Sequence, residues 1–175
     1  MANQKLEALR ARMAQEGMDA YMVPTSDFHE SEYVGEHFKA RSYLSGFTGS
    51  AGVCVVLKDE AELWTDGRYF IQAENQLRGT GIKLMKIAEP GVPTVEQFLA
   101  EKLPEGGCLG YDGRVVNTRT AQNLEKALAG RHARFAIDKD LVGEIWTDRP
   151  ALSAKPAPLD YDTLCGKSKE EILGI

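Results

Sequence analysis

The stretch WTDGRYF, residues 64–70, places an acid, a cation and a phenol around one glycine. It follows an apolar segment and a short polar turn, which predicts a strand ending near Asp66 and a helix beginning after it. Trp64 would then point inward, Asp66 would cap the helix, Gly67 would form the turn and Arg68 would lie in the first helical turn. All four residues can be explained in this way without any function.

Arg68 is harder to explain as a simple surface charge. A cation in a first helical turn opposes the helix dipole, which typically costs roughly 0.3–1 kcal/mol. A guanidinium displayed at a strand–helix junction is also well suited to paired hydrogen bonds with a carboxylate. Arg68 is therefore a candidate binding residue, and on the residues alone both explanations stay open.

Histidines and acids could indicate a metal site. Segment 27–37, DFHESEYVGEH, contains two histidines and four carboxylates. Zinc peptidases place two histidines four positions apart on a helix with a glutamate between them. Here His29 and His37 are eight positions apart, Tyr33 stands at the intervening position, and His132 is distant. A solvated loop is the plainer interpretation, and we predict no metal ligand in this chain.

The glycine-rich loop SGFTGSAG, residues 45–52, could be taken for a phosphate-binding loop. Such a loop needs a lysine after its last glycine and a helix behind it. This loop has no lysine, and the β-branched segment GVCVVL follows. A tight connection between strands is the preferred interpretation.

Two other hydrolytic chemistries are also disfavoured. An RNase-H-like nuclease places acids on its central strands to hold two metals. The predicted strands AYMV, GVCVVL, IKLMKI and RFAI contain none, and Asp66 ends its strand alone. A serine hydrolase would need a G-x-S-x-G elbow, which the sequence lacks.

Helices and strands alternate along the chain, and the hairpin of GVCVVL and AELWT adds an antiparallel pair, so we predict an α/β fold with a mixed sheet and flanking helices. Helices are predicted around Leu6–Met13 (ended by Gly17), Phe70–Leu77, 94–99 (opened by a Thr94–Gln97 capping box), Ala121–Leu128 and 140–146, and strands at 20–23, 52–57, 61–65, 82–87, 108–111 and 134–137.

Composition limits the class of protein. With 175 residues and 43% apolar content the chain can bury a core, and a net charge of −5 with no clustered lysine or arginine argues against nucleic acid. The first residues are polar and helical, with no secretory or membrane segment. The chain has three cysteines, of which Cys54 and Cys108 lie in apolar runs. We therefore expect buried thiols and a cytoplasmic protein.

The end of the chain predicts more than one domain. RPALSAKPAPL, residues 149–159, holds three prolines in eleven residues and is typical of a linker. Behind it, Ser168 and Glu171 form a capping box that opens a helix. We divide the chain into a domain at 1–148, a linker at 149–162 and the truncated start of a second domain at 163–175.

Taken together and in order, several motifs resemble the N-terminal domain of cytosolic-type, three-domain Xaa-Pro aminopeptidases (aminopeptidase P). SGFTGSAG and WTDGRYF carry the resemblance most strongly. HESEY (29–33), LMK (84–86), LPEG (103–106) and IWTDRP (145–150) add to it.

The resemblance implies a creatinase-type N-terminal domain with an RNase-H-like layout, a second similar domain, and then a catalytic "pita-bread" domain. That last domain would carry a dinuclear metal site, usually manganese, made of two Asp, two Glu and one His. The reaction removes the N-terminal residue that precedes proline. The present chain would hold no catalytic residue and would serve as a substrate-positioning or gating domain.

The resemblance also implies a role for one residue of WTDGRYF. Arg68 corresponds to a substrate-binding arginine, while Trp64, Asp66 and Tyr69 would hold its turn in shape. The implied partners are a peptide with proline in second position, the chain's own downstream domains and a second copy in a homodimer. Two alternatives stay open: a stand-alone binding module of the same fold, and the N-domain of a prolidase or creatinase.

Overall fold

The computed structural model describes residues 3–155, 168, 170, 171 and 174. Six strands form one sheet: β1 (Ala20–Pro24), β2 (Val53–Leu57), β3 (Ala61–Thr65), β4 (Lys83–Lys86), β5 (Cys108–Gly110) and β6 (Arg134–Ala136). The helices are α1 (Gln4–Gln15), α2 (Ala40–Ser45), α3 (Phe70–Gln76), α4 (Val95–Lys102), α5 (Thr118–Leu128) and α6 (Leu141–Ile145).

The sheet has the order β4-β3-β2-β1-β5-β6. Strand β2 runs antiparallel to β1 and β3, while β4 is parallel to β3, and β5 and β6 are parallel to β1. The carboxyl ends of β1, β3, β4, β5 and β6 therefore share one edge, here called the carboxyl edge. The predicted mixed α/β sheet is confirmed, and β1, β2 and β3 form an antiparallel meander within it.

Both faces of the sheet are covered, because successive residues of a strand point to opposite sides. On β2, Cys54 packs toward α1, α2, α3 and α6, and Val55 packs toward α4 and α5. Cys54 and Cys108 are buried thiols, as predicted. Burying each large aliphatic side chain of these two cores contributes about 1.5–3 kcal/mol.

Several helix boundaries follow their predicted signals. Gly17 has a φ of 67° just past α1, which is the left-handed conformation that ends many helices. The Thr94–Gln97 capping box is present at the start of α4. Helix α2 is different, because no helix was predicted between the strands at 20–23 and 52–57. Its six residues are too few to show a helical period.

The start of the predicted linker is fastened to the domain. The Arg149 side chain donates from Nε to the His37 carbonyl at 2.8 Å and pairs with Asp140. The His37 ring lies 2.8 Å from the Pro150 carbonyl. Residues 149 and 150 thus contact the domain, and the boundary at 148 stays a prediction.

Most of the predicted second-domain start, including Cys165, lies outside the described residues. Its capping box is described: the Glu171 N–H donates to Ser168 Oγ at 3.2 Å, and the Ser168 N–H donates to the Glu171 carboxylate at 2.7 Å.

Candidate functional site at the carboxyl edge

Arg68 stands on the carboxyl edge directly after β3. The Asp66 carboxylate accepts the Arg68 backbone N–H at 3.1 Å, so Asp66 caps the turn as predicted. The turn is a 3-10 turn, Gly67–Tyr69, that precedes α3, so Arg68 does not lie in the α-helix itself. The Asp66 carboxylate caps this 3-10 turn, so an acid lies beside Arg68 where the turn begins.

The Arg68 guanidinium is held on one side. Its Nε and Nη2 donate to the two Asp66 oxygens, each at 2.9 Å. Hydrogen bonding to Arg68 lowers the pKa of Asp66, and the same bonds raise the pKa of Arg68. The side chain remains 64% exposed. Its outer edge, formed by Nη1 and the second Nη2 hydrogen, has no acceptor among the described residues.

A second Asp-Gly-Arg turn provides an internal comparison. Asp112-Gly113-Arg114 follows β5 at the same edge of the sheet. Arg114 repeats the pairing, with its Nε and Nη2 each 2.9 Å from an Asp112 oxygen. Its Nη2 also lies 3.4 Å from Asp140, and its guanidinium lies 5.5 Å from the Phe28 ring. Arg114 is therefore bound on two sides, whereas Arg68 is bound on one.

The SGFTGSAG loop, residues 45–52, contacts the turn that carries Arg68. The Ser50 and Tyr69 hydroxyls lie 2.7 Å apart, which joins the loop to the residue after Arg68. The Tyr69 ring in turn lies 5.2 Å from the Arg68 guanidinium. A cleft of about 270 Å³ opens beside this contact, lined by residues that include Thr25, Glu32, Tyr33, Arg41 and Ser50.

The glycines of SGFTGSAG serve packing and chain reversal. Gly46 ends α2 with a φ of 76°. A Cβ on Gly49 would lie 2.3 Å from the Phe47 ring, and one on Gly52 would lie 2.8 Å from the Trp64 carbonyl. The loop is a tight connection, but it joins α2 to β2, so the prediction that it connects two strands is wrong.

The three histidines do not come together. His29 is anchored through its backbone N–H to Asp27, His37 contacts Pro150, and His132 lies 3.6 Å from Glu105. In the described part of the chain, no group of three or more His, Cys, Asp or Glu residues could hold a metal ion. A dinuclear metal centre therefore does not fit the residues described.

One acid, Glu62, lies inside a strand and was not among the residues considered for a nuclease site. Glu62 lies inside β3 and is only 3% exposed, and one of its carboxylate oxygens has no hydrogen-bond partner. Burial and the neighbouring Glu60 raise the pKa of Glu62 to about 7. A single acid in an apolar run was the signal in the sequence. Glu62 lies near the amino end of β3, away from Arg68.

Exposed apolar side chains are concentrated at the carboxyl edge. Among the described residues, five of the six exposed large hydrophobic side chains lie in segments that follow the carboxyl ends of strands: Phe28, Tyr33, Ile71, Ile87 and Ile137.

Comparison with known proteins assigns the fold to a family. The profile of the creatinase/prolidase N-terminal domain matches residues 5–142. Aminopeptidase P2 of Arabidopsis thaliana is 42% identical over 152 residues, which is 85% of this chain and 21% of that protein. The Drosophila melanogaster Xaa-Pro aminopeptidase is 39% identical, covering 81% of this chain and 24% of that protein. The chain thus spans about a quarter of the length of these relatives.

Two solved structures are similar as well. The X-prolyl aminopeptidase of Caenorhabditis elegans superposes with a TM-score of 0.81 at 38% identity, covering 89% of this chain and 27% of that chain. It is described as a cytosolic enzyme with a di-nuclear active site. The N-terminal domain of the Mycobacterium tuberculosis cytoplasmic peptidase PepQ gives 0.59 at 30% identity, covering 82% of this chain and 99% of that domain. No described helix has the length and apolar character needed to cross a membrane.

Proposed function

This chain belongs to the creatinase/prolidase N-terminal domain family and corresponds to the N-terminal region of Xaa-Pro aminopeptidases, and from this premise we propose that it positions the peptide substrate of such an enzyme. The residue that would contact the substrate is Arg68. Bond cleavage itself would take place in another domain of a longer protein.

The observation that carries this proposal is the outer edge of the Arg68 guanidinium, which has no acceptor in the part of the chain that the structure describes. A guanidinium offers two parallel N–H groups at that edge, which suit a backbone carbonyl or a carboxylate of a peptide. Asp66 fixes the guanidinium from the other side through two 2.9 Å bonds. Because the side chain is already ordered, less conformational entropy is lost when a peptide binds.

The surroundings of Arg68 support an interface with a further domain. Arg68 shares the carboxyl edge with exposed apolar side chains such as Tyr33 and Ile71. If the substrate site lies between two domains, Arg68 would border it on the side of this domain. Ligand sites in open α/β sheets commonly lie at the carboxyl ends of the strands.

The chemistry would be supplied by a catalytic domain downstream. We propose that it holds a dinuclear metal centre, with manganese as the metal, and cleaves the bond before proline in second position. The di-nuclear active site described for the similar Caenorhabditis elegans enzyme supports this assignment, as its description as cytosolic supports a cytoplasmic location. We also propose that the complete protein forms a homodimer.

The proposal is tested by expressing the complete reading frame that contains this chain. Purified protein is loaded with manganese and assayed on Xaa-Pro-Yaa tripeptides, on Xaa-Pro dipeptides and on creatine. Release of Xaa from tripeptides is the expected result. Cleavage of dipeptides alone would indicate a prolidase, and creatine hydrolysis a creatinase. A reading frame without a metal-binding domain would indicate a stand-alone binding module.

A further inference from the structure

Arg41 is a buried cation close to the proposed site. It lies in α2 and is only 3% exposed. Its Nε donates to Thr25 Oγ1 at 2.7 Å, its Nη1 to the Phe47 carbonyl at 2.8 Å, and its Nη2 to the Gly49 carbonyl. The guanidinium also lies 4.6 Å from the Phe47 ring.

Within the described part of the chain, no carboxylate forms an ion pair with this cation. Among the described residues, none of the ion pairs involves Arg41. Burial lowers the pKa of Arg41 to about 10, so the side chain stays charged at neutral pH. An unpaired buried charge is costly, and it is tolerated where several hydrogen bonds satisfy it. Two of the three acceptors are carbonyls of one loop, at Phe47 and Gly49, so Arg41 fastens that loop to α2.

The loop that Arg41 holds is the one that meets the Arg68 turn. Two residues past Phe47, Gly49 lies against Tyr69, since a Cβ there would be 2.9 Å from that ring. The next residue, Ser50, shares the 2.7 Å hydroxyl contact with Tyr69. On its other side the loop is tied to α3, because the Thr48 N–H donates to Gln76 at 3.0 Å.

We propose that Arg41 is a positioning residue for substrate binding: it fixes the 47–50 loop, whose Ser50 then orients Tyr69 and the turn that presents Arg68. The inference rests on the proposed function of Arg68. It adds a residue that never contacts the substrate and acts through three intervening contacts, from guanidinium to loop carbonyls, from loop to Ser50, and from Ser50 to Tyr69.

The first experiment removes one hydroxyl at a time in the complete enzyme. Ser50→Ala and Tyr69→Phe each delete one side of the 2.7 Å contact and leave the fold's apolar packing in place. We expect KM for an Xaa-Pro tripeptide to rise about two- to tenfold, with kcat close to that of the parent enzyme. In an Arg68→Ala background the same changes should have no further effect, because residues that act through one group are not additive.

The second experiment changes Arg41 itself. Arg41→Met keeps an apolar chain of similar length and loses the three donors, while Arg41→Lys keeps the charge and can satisfy only part of the acceptors. We expect a larger rise in KM for Met than for Lys. Arg131→Met is the matched control, since Arg131 also donates to two backbone carbonyls, Ala100 at 2.7 Å and Glu101 at 3.2 Å, but far from Arg68. It should lower the melting temperature and leave KM unchanged.

The outcomes separate this inference from the proposed function. If Arg68→Ala raises KM but Ser50→Ala and Tyr69→Phe do not, the positioning role is wrong and the function of Arg68 stands. If both hydroxyl variants raise KM equally with and without Arg68, they act by another route and the inference is again overturned. If Arg68→Ala has no effect on kinetics, the proposed function itself fails. If Arg41→Met folds and KM is unchanged, the positioning role of Arg41 is wrong; should Arg41→Met not fold, Arg41→Lys decides by the same measurement.

Discussion

Replacement of Arg68 by alanine in the complete enzyme is the most direct test of the site. The change removes the outer guanidinium edge and the two 2.9 Å bonds to Asp66. A charge-assisted hydrogen bond to a ligand typically contributes about 1.5–3 kcal/mol, which corresponds to about tenfold to a hundredfold in affinity. We therefore expect kcat/KM for an Xaa-Pro tripeptide to fall by about tenfold to a hundredfold.

Stability should hardly change, because exposed ion pairs contribute little. Arg68 is 64% exposed, and the Asp66 carboxylate still accepts the backbone N–H of residue 68 after the substitution. Metal content should also stay the same. Arg68→Lys should recover only part of the activity, since an ammonium group cannot reproduce two parallel donors on a planar fork.

Arg114→Ala is the matched control. It removes the same kind of Asp-paired arginine from the same kind of turn, with a side chain that is 60% exposed. Because Arg114 also bridges to Asp140 and covers Phe28, its loss should cost stability on the order of 1 kcal/mol. Its kinetics should match those of the parent enzyme. Unchanged kinetics for Arg68→Ala, or equal losses for both variants, would refute the assignment of Arg68 to the site.

Four further predictions concern this chain on its own. The 175-residue chain should neither hydrolyse Xaa-Pro peptides nor bind manganese in stoichiometric amount; elemental analysis and a peptidase assay on chelator-treated protein check this, and bound metal would contradict it. Residues 1–148 should fold without the tail, with hydrogen exchange slow in β1 and β2. A chain ending at 150 should be more stable than one ending at 148 by about 1–2 kcal/mol, because Arg149 bonds to His37 and Asp140; equal urea midpoints would argue against that anchor. The pKa of Glu62 is raised to about 7, so the folded chain favours the protonated form of this side chain. Ionisation of Glu62 should therefore lower the free energy of unfolding as pH rises from about 4.5 to 7. Glu62→Gln should therefore raise the free energy of unfolding at pH 8 by up to about 3 kcal/mol and change it little at pH 4, and urea unfolding at both pH values measures the difference.

Local signals in the sequence were sufficient for much of the fold. The period of Leu6, Leu9 and Met13, the Thr94–Gln97 capping box and the β-branched hairpin each depend on neighbours within a few residues. Such patterns are set by backbone geometry and short-range hydrogen bonds, so they can be predicted without the fold. The motifs SGFTGSAG and WTDGRYF were likewise sufficient to identify the family, which the comparisons confirm.

The sequence alone singled out Arg68, but it could not distinguish the two Asp-Gly-Arg turns physically. Both have the same three residues and the same local pairing, with Nε and Nη2 bonds of 2.9 Å. Only tertiary structure brings Asp140 and Phe28 to Arg114 and leaves the outer edge of Arg68 without an acceptor among the described residues.

The burial of Arg41 and Glu62 was decided in the same way. Arg41 reaches Thr25, which is 16 positions away, and Glu62 is enclosed by neighbouring strands and α4. Local sequence predicts which conformation a segment prefers, because the interactions involved lie within a few residues. Whether a charged group ends up paired, buried or available to a ligand depends on segments that meet only when the chain folds.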